Sequence, residues 1–472
     1  MTAPEIQAVA PRPHPDNGLR YVVESLASLA LAVLLVRSFA VEGYIISTGS
    51  MAPYLLGYHK QVVCPDCRFP FAVGMPVDEG HATSGPVACP NCGQTQIHLE
   101  QVPRNEGDQL LVQKLAYLFR PPKRWEVVVF QNPNRPTQAY VKRVIGLPGE
   151  EIQVVAGDIW VNGKLVRKSL AEQRSTRIPI CSQQHRSEGG DDRRWEADNG
   201  WQTLANGFEW ESQTASEQMK PSSRQVAWVT YRGFSRAWPA DDYAYNGLAE
   251  RSARYLVRDV MAAMQIELHR GRGDFVLAMN DGWQTFEVRL ASGQRELRLF
   301  VDGRDEPAQT AKLSGQLWRN PLLLEMSLFD RQLLVALGGE TVFAQKLAVR
   351  TTDDGVDRQT ANGTSPVRFG ASDLHVSVRD LMLYRDVYYT RGDGRHGIEE
   401  PYSLGADEYF FLGDNSPVSL DSRSWTDAVV RDHMLLGKPF LVHLPSRPGR
   451  IKLGSAEWHI RVPDWGRIRY IR

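Results

Sequence analysis

Three short segments of this 472-residue chain carry side chains whose types and spacing could do chemistry. In Ile46 to Pro53 (ISTGSMAP), Ser50 follows Gly49 in a tight turn, where a glycine lets the backbone come close to another molecule. A hydroxyl presented that way is a candidate nucleophile, although Ser50 taken alone reads as a turn residue. In Tyr140 to Glu150 (YVKRVIGLPGE), Lys142 stands inside a strongly apolar run, an unusual place for a solvated ammonium. A desolvated amine is a candidate general base, while strict alternation would instead turn Lys142 outward. Gly413 to Trp425 (GDNSPVSLDSRSW) gathers Asp414, Ser419, Asp421 and Arg423, which by themselves read as a polar turn with an Asp/Arg pair.

A different chemistry is written in the cysteines. Four of the five form two C-x-x-C pairs, Cys64/Cys67 and Cys89/Cys92, and Cys181 stands apart. Two such pairs about twenty residues apart, the second followed by Gly93, fit a tetrahedral four-thiolate zinc ribbon. Two local disulfides are the alternative if the segment faces an oxidising compartment. The stretch has few basic residues, so the expected role is a structural clip rather than a nucleic-acid reader.

The elements that must position these residues are mostly strands. Trp125 to Phe130 and Ala139 to Ile145 are β-rich runs around a turn-forming stretch, Gln131 to Thr137, and Glu151 to Val155 with Ile159 to Val161 before Asn162-Gly163 reads as a hairpin. Past Lys168 the composition turns charged and Gln/Ser-rich (SLAEQRSTRIP, then HRSEGGDDRRWEADNG), which reads as a boundary or long surface loop. Alternating runs follow at 286–290, 297–301, 324–328, 333–337 and 374–378, the pattern of an antiparallel sandwich. The phrase LRLFVDG (297–303) resembles a strand pair of concanavalin-like or laminin-G-like folds, a likeness of fold alone. No internal repeat stands out. Glu408 to Leu412 then returns to the style of the earlier strands, so the sandwich reads as inserted within another domain.

Leu26 to Val36 is apolar or small throughout, and the flanks from Tyr21 to Ile46 make enough length for a tilted membrane helix. A cleaved signal peptide ending near Phe39-Ala40 is the competing reading; an uncleaved anchor is preferred because Ser50 follows so closely. The preceding tail is Pro-rich, polar and expected to be disordered. Fifty-five basic and 55 acidic side chains cancel, so no global charge draws the chain to nucleic acid or acidic lipid.

Taken in order, the apolar helix, T-G-S-M-A-P, Gly107-Asp108 with an apolar strand, Y-x-K-R-x-x-G-x-P-G and G-D-N-S-x-x-S-x-D-S-R resemble the type I signal peptidase family. The resemblance covers roughly residues 20 to 60, 104 to 168 and 400 to 440. It implies a membrane-anchored β-fold endopeptidase that needs no catalytic cofactor, with Ser50 as nucleophile and Lys142 as general base. By position, Thr48 and the Ser50 N–H match the oxyanion donors, Ser419 orients the lysine, Asp421, Arg423 and Arg143 form a supporting charge network, Asp414 holds the Gly-Asp-Asn turn, and Met51 flanks the nucleophile. The chemistry is consistent: a free lysine amine titrates near ~10.4 and must be lowered by roughly two to three units to act near neutrality, which an apolar setting supplies. Expected partners are the signal peptides of exported preproteins, cut after small residues, together with the lipid bilayer and the protein-export machinery. The expected location is the cytoplasmic membrane, crossed once, with the catalytic domain on the outer side. Three departures stand out: Tyr54-Leu55 replaces the usual Thr-Leu, the cysteine segment interrupts the path to Gly107-Asp108, and Ser416 stands where many members carry arginine.

The expected division is a tail (1–20), a membrane helix (21–43), a peptidase domain (44–60, 104–168 and 386–472), a zinc-ribbon-like insertion (61–103) and a β-sandwich insertion (169–385). Two rivals remain: a catalytically idle peptidase fold whose sandwich binds glycan or protein, and a self-cleaving Ser–Lys regulator, which the helix directly before Ser50 disfavours.

Overall fold

The structure, a computed structural model, describes residues 18–77, 87–187, 194–212, 225–233, 238–247, 255–349, 365–443, 445–453 and 456–471. Residues 1–17, which hold most of the tail expected to be disordered, lie outside them, as do residues 188–193 of the second charged stretch. The fold is mainly β, with one long apolar helix at its start.

That helix runs through Gly18–Leu35 and closes with a wider turn, Val36–Ala40. Its most apolar 18-residue window has a mean hydropathy of 1.9, and none of its 23 residues is buried against protein. At 1.5 Å per residue it extends about 34 Å, enough for a bilayer's hydrocarbon core. The chain enters a strand at once: Val41–Ile45 pairs with Gln109–Gln113, so the helix is joined to the sheet that carries the Ser50 turn without a flexible linker.

That sheet interleaves distant parts of the chain. Its spatial order is Val41–Ile45, Gln109–Gln113, Leu435–Val442, Val127–Asn132, Arg135–Gly146, Glu408–Leu412 and Val430–Arg431. Val127–Asn132 and Arg135–Gly146 form a hairpin tighter than the sequence implies, with Asn132 already opposite Arg135 and Lys142 opposite Val128. Burial on Arg135–Gly146 does not alternate: from Lys142 to Gly146 every residue is buried. Both faces are covered there, which removes the outward option for Lys142.

The SLAEQRSTRIP stretch is not a loop. Ser169 caps a helix, Leu170–Thr176, through a reciprocal capping box with Glu172, and Ile178–Ser182 continues as a strand paired with Val367–Arg385. The S-x-x-E spacing is the physical reason, since it satisfies two otherwise orphaned backbone N–H groups.

The sandwich is organised by two long strands, Val260–Asn280 and Val367–Arg385, which pair with each other along most of their lengths. Each serves both layers: Val260–Asn280 takes Leu322–Ser327 beside its first half and Thr285–Ala291 beside its second. Register shifts between Leu268 and Asp274 let it bend from one to the other. The core between the layers is closed by Phe208, Phe275, Phe286, Leu324, Phe369 and Val376. At the seam with the Glu151–Val161 hairpin, Lys168 Nζ is buried between Asp330 Oδ1 (2.5 Å) and Asp386 Oδ2 (2.7 Å), with Asp158 and Asp259 beside them.

Candidate active site

Ser50 sits half-buried in a turn fixed from several sides. Ala52 N–H donates to Gly49 O (3.0 Å), Tyr58 N–H to Ser47 O (3.2 Å), and Asn415 N–H to Ser50 O (3.0 Å). Met51 and Ala52 are buried beneath it, whereas Thr48 is exposed. Gly57 leaves room for the Thr48 carbonyl, which would stand 2.5 Å from a Cβ added there. Gly107 does the same for the Ile46 carbonyl, so the Gly107-Asp108 segment braces the turn from below. Asp108, 1% exposed, accepts from Leu56 N–H (3.0 Å) and pairs with Arg467 and Arg469.

The three chemistry-bearing segments meet at Gly413. A Cβ there would collide with Ser419 Oγ on one side and stand 2.5 Å from Ser50 O on the other. Lys142 Nζ donates to Ser419 Oγ at 3.1 Å, and Lys142 is 2% exposed. Burial, resisted by the Asp421 carboxylate, pushes the Lys142 amine down to about 8. The Tyr140 ring adds an aromatic wall 5.9 Å from the nitrogen.

Two buried Arg–Asp pairs hold this floor. Arg143 grips Asp414 with two bonds (2.7 and 2.6 Å) and donates further to Trp125 O (2.6 Å) and Ser175 O (3.1 Å). Arg423 grips Asp421 (2.9 and 2.7 Å), and Asp421 also accepts from Gly413 N–H (3.1 Å). Burial works against the Asp421 carboxylate, but Arg423 outweighs it and holds it below the ordinary carboxylate range. Removing one partner of such a pair strands a buried charge, at about 3–5 kcal/mol. Ser416, where an arginine was expected, joins the same network: its hydroxyl accepts from Arg423 Nη1 (2.8 Å) and from Thr390 N–H (2.8 Å). Thus Lys142, Arg143, Asp414, Ser419, Asp421 and Arg423 lie in one connected cluster with Ser50 and Met51 at its edge, and Thr48 stands apart in solvent.

One part of the site was not foreseen. The 238–247 segment lies on the Ser50 turn. Asn246 and Asn415 exchange side-chain bonds (2.9 and 2.7 Å), and Asn415 Nδ2 also donates to Gly49 O (3.0 Å). Tyr243 OH donates to Asp414 O (2.8 Å) and Tyr245 OH to Tyr58 O (2.9 Å). A Cβ on Gly49 would enter the Tyr245 ring, so the space left by that glycine is filled by the protein itself.

The four cysteines converge separately. Cys64 and Cys92 sulfurs are 3.4 Å apart and Cys67 and Cys89 sulfurs 3.6 Å, and the four lie within 4.8 Å of one another. These distances exceed a disulfide bond, about 2.05 Å, and approach the edge of a tetrahedron of ~2.3 Å zinc–sulfur bonds, about 3.8 Å. The two turns are alike, with Arg68 N–H donating to Cys64 O (3.1 Å) and Gly93 N–H to Cys89 O (3.0 Å). The residue after each second cysteine has positive φ, 62° at Arg68 and 76° at Gly93, which explains the glycine. Asn91 ties the cluster to the sandwich, accepting from Ser182 N–H (2.7 Å) and donating to His185 O (2.6 Å).

Known proteins bear on the Lys142 region. The family model for signal peptidases (signal peptidase, peptidase S26) matches residues 102–225, a stretch that includes Lys142 and Arg143. Signal peptidase I of Leptolyngbya laminosa is 45% identical over 74 residues, 14% of this chain and 36% of the relative. A probable signal peptidase I-2 of Synechocystis is 43% identical over 66 residues, 13% of this chain and 30% of that protein. The chain therefore spans about a third of the length of these relatives. Among solved structures, a carbohydrate binding module of Bacillus subtilis aligns with 42% of this chain and 94% of its own, at 12% identity and a TM-score of 0.23, too low to inform function. Over residues 102–225, which include Lys142 and Arg143, the chain is similar to the type I signal peptidases.

Proposed function

We propose that the chain is a membrane-anchored Ser–Lys endopeptidase that removes signal peptides from exported preproteins after small residues. The observation that carries this reading is the burial of Lys142 with its amine on Ser419 Oγ, beside the glycine that Ser50 also approaches. An amine titrating near 8 is neutral in a useful fraction near neutral pH. Neutral Lys142 takes the Ser50 proton as Oγ attacks the scissile carbonyl, and returns it to the leaving amine. Ser419 fixes the direction of the lysine, and the Arg143–Asp414 and Arg423–Asp421 pairs hold Ser419 and Gly413 in place. The Ser50 N–H and the Thr48 hydroxyl are the oxyanion donors. Thr48 must turn toward the substrate to serve, and its exposure leaves it free to do so.

The helix 18–40 is the anchor, the interleaved sheet the catalytic domain on the outer side of the cytoplasmic membrane, and the bilayer and export machinery its surroundings. The 61–103 and 169–385 segments are the two insertions, an arrangement supported by the return of Glu408–Leu412 and Leu435–Val442 to the sheet built by 41–146. Cys64, Cys67, Cys89 and Cys92 hold a structural zinc, which would lock the two turns together and takes no part in catalysis.

The test is to incubate the purified full-length protein in detergent with a preprotein and sequence the new N-terminus. Cleavage after a small residue, abolished when a bulky residue replaces it, is expected. An intact preprotein would instead favour the idle scaffold.

A further inference from the structure

Far from Ser50 in sequence, three neighbouring strands of the sandwich set two imidazoles and a carboxylate on one outward face. Val367–Arg385 is the middle strand. On one side Glu209 of Gly207–Glu211 lies opposite Ser377, and on the other Arg270 of Val260–Asn280 lies opposite His375. The two-residue period sends Phe208, Val376 and Val378 into the core, so Glu209, His375 and Ser377 share the other face. The register shifts here, since Leu268 faces Val376 while Arg270 faces His375, and His269 is the extra residue of the bulge. Bulges re-aim side chains, and this one brings the His269 ring to 4.5 Å from the His375 ring, centre to centre.

The donor atoms converge. His375 Nε2 is 3.1 Å from Glu209 Oε1, and Ser377 Oγ is 3.2 Å from that oxygen and 2.8 Å from His269 Nε2. One ligand atom each from Glu209, His269 and His375 lies within 4.8 Å of the others. Ligand atoms around a tetrahedral zinc with ~2.1 Å bonds stand about 3.4 Å apart, so the His375–Glu209 edge is nearly formed, and exposed His269 has room to close the rest. All three donors stand on paired strands rather than loops, as a preorganised site requires.

We propose that Glu209, His269 and His375 bind one divalent transition-metal ion of the zinc kind, independently of the four cysteines and with at least one coordination position open. Two imidazoles and a carboxylate are a borderline donor set suited to such ions. Ser377 would remain beside Glu209 and orient its carboxylate.

The experiment titrates the full-length protein, first stripped of metal under reducing conditions, with cobalt(II). Thiolate-bound cobalt shows sulfur-to-metal charge transfer, and cobalt held by imidazole and carboxylate shows only ligand-field bands. The expected result is one ion per chain in the wild type beyond any that brings charge transfer, seen as a further rise of the ligand-field bands with no further rise of the charge-transfer band. In His269→Ala and in His375→Ala it should be lost or require at least tenfold more metal, while the melting temperature of the metal-free protein is unchanged and the neighbouring Arg270→Ala keeps the full signal. Absence of that signal in the wild type, or its persistence in both histidine variants, would overturn the proposal. A missing charge-transfer band would count against the four-cysteine zinc alone.

Discussion

At Lys142 the cost of burial and the requirement of the chemistry coincide. Every residue from Lys142 to Gly146 is buried, and the apolar setting pushes the amine down to about 8. A base that works only when neutral should make kcat/KM for preprotein cleavage rise with pH and level off above about 8. A profile flat from pH 6 to 9 would remove Lys142 as the base. Much of this residue-scale picture is legible in the chain, because a lysine in a valine-rich run is a local signal. Its partners are less so. Thr390 and Ser416 join Arg423 across the fold, and nothing in either residue's neighbourhood announces that bond. Ser416 fills the arginine's place by accepting hydrogen bonds from a guanidinium already present.

Among elements, the strand pairs follow from hydrophobic period and turn residues, and the helix Leu170–Thr176 could have been read from Ser169 and Glu172. The 238–247 segment could not: Tyr243, Tyr245 and Asn246 act through contacts with residues 169 to 187 positions away, and a short polar-aromatic stretch has no periodicity to read. It acts as a positioning strap on the Ser50 turn. Asn246→Ala leaves an amide group of Asn415 without its partner, a loss of about 1–3 kcal/mol. Because Asn415 holds Gly49 O, kcat should fall roughly tenfold or more while KM changes little. Equal kcat in the variant would make the strap merely structural. For the cysteine turns, removal of zinc by a chelator should expose the segment to proteolysis between Cys64 and Cys92 and release one zinc per chain. Metal-free protein with the same resistance would contradict the zinc assignment.

For the molecule as a whole, the seam between the hairpin at 151–161 and the sandwich is the point of tension. Asp158, Asp259, Asp330 and Asp386 surround one ammonium, that of Lys168. Burial and the neighbouring Asp330 carboxylate push Asp158 up to about 7. A carboxyl that holds its proton more tightly folded than unfolded stabilises the fold fully below the ordinary carboxylate range. That contribution is lost as pH rises from about 4 to about 7. Asp158→Asn should therefore raise the melting temperature relative to wild type at pH 8 and leave the two nearly equal at pH 4. A difference independent of pH would contradict this origin. The seam is invisible in sequence because its members come from four separate segments. The ordered motifs, by contrast, lead to the expectation that Ser419 orients Lys142, and Lys142 Nζ donates to Ser419 Oγ, although their sheet draws strands from both ends of the chain.

The most direct measurement is preprotein cleavage by the full-length protein and by Ser50→Ala and Lys142→Ala, each checked for an unchanged melting profile. Loss of cleavage by at least a thousandfold in both variants is predicted, and wild-type cleavage by either one would contradict a Ser50–Lys142 mechanism.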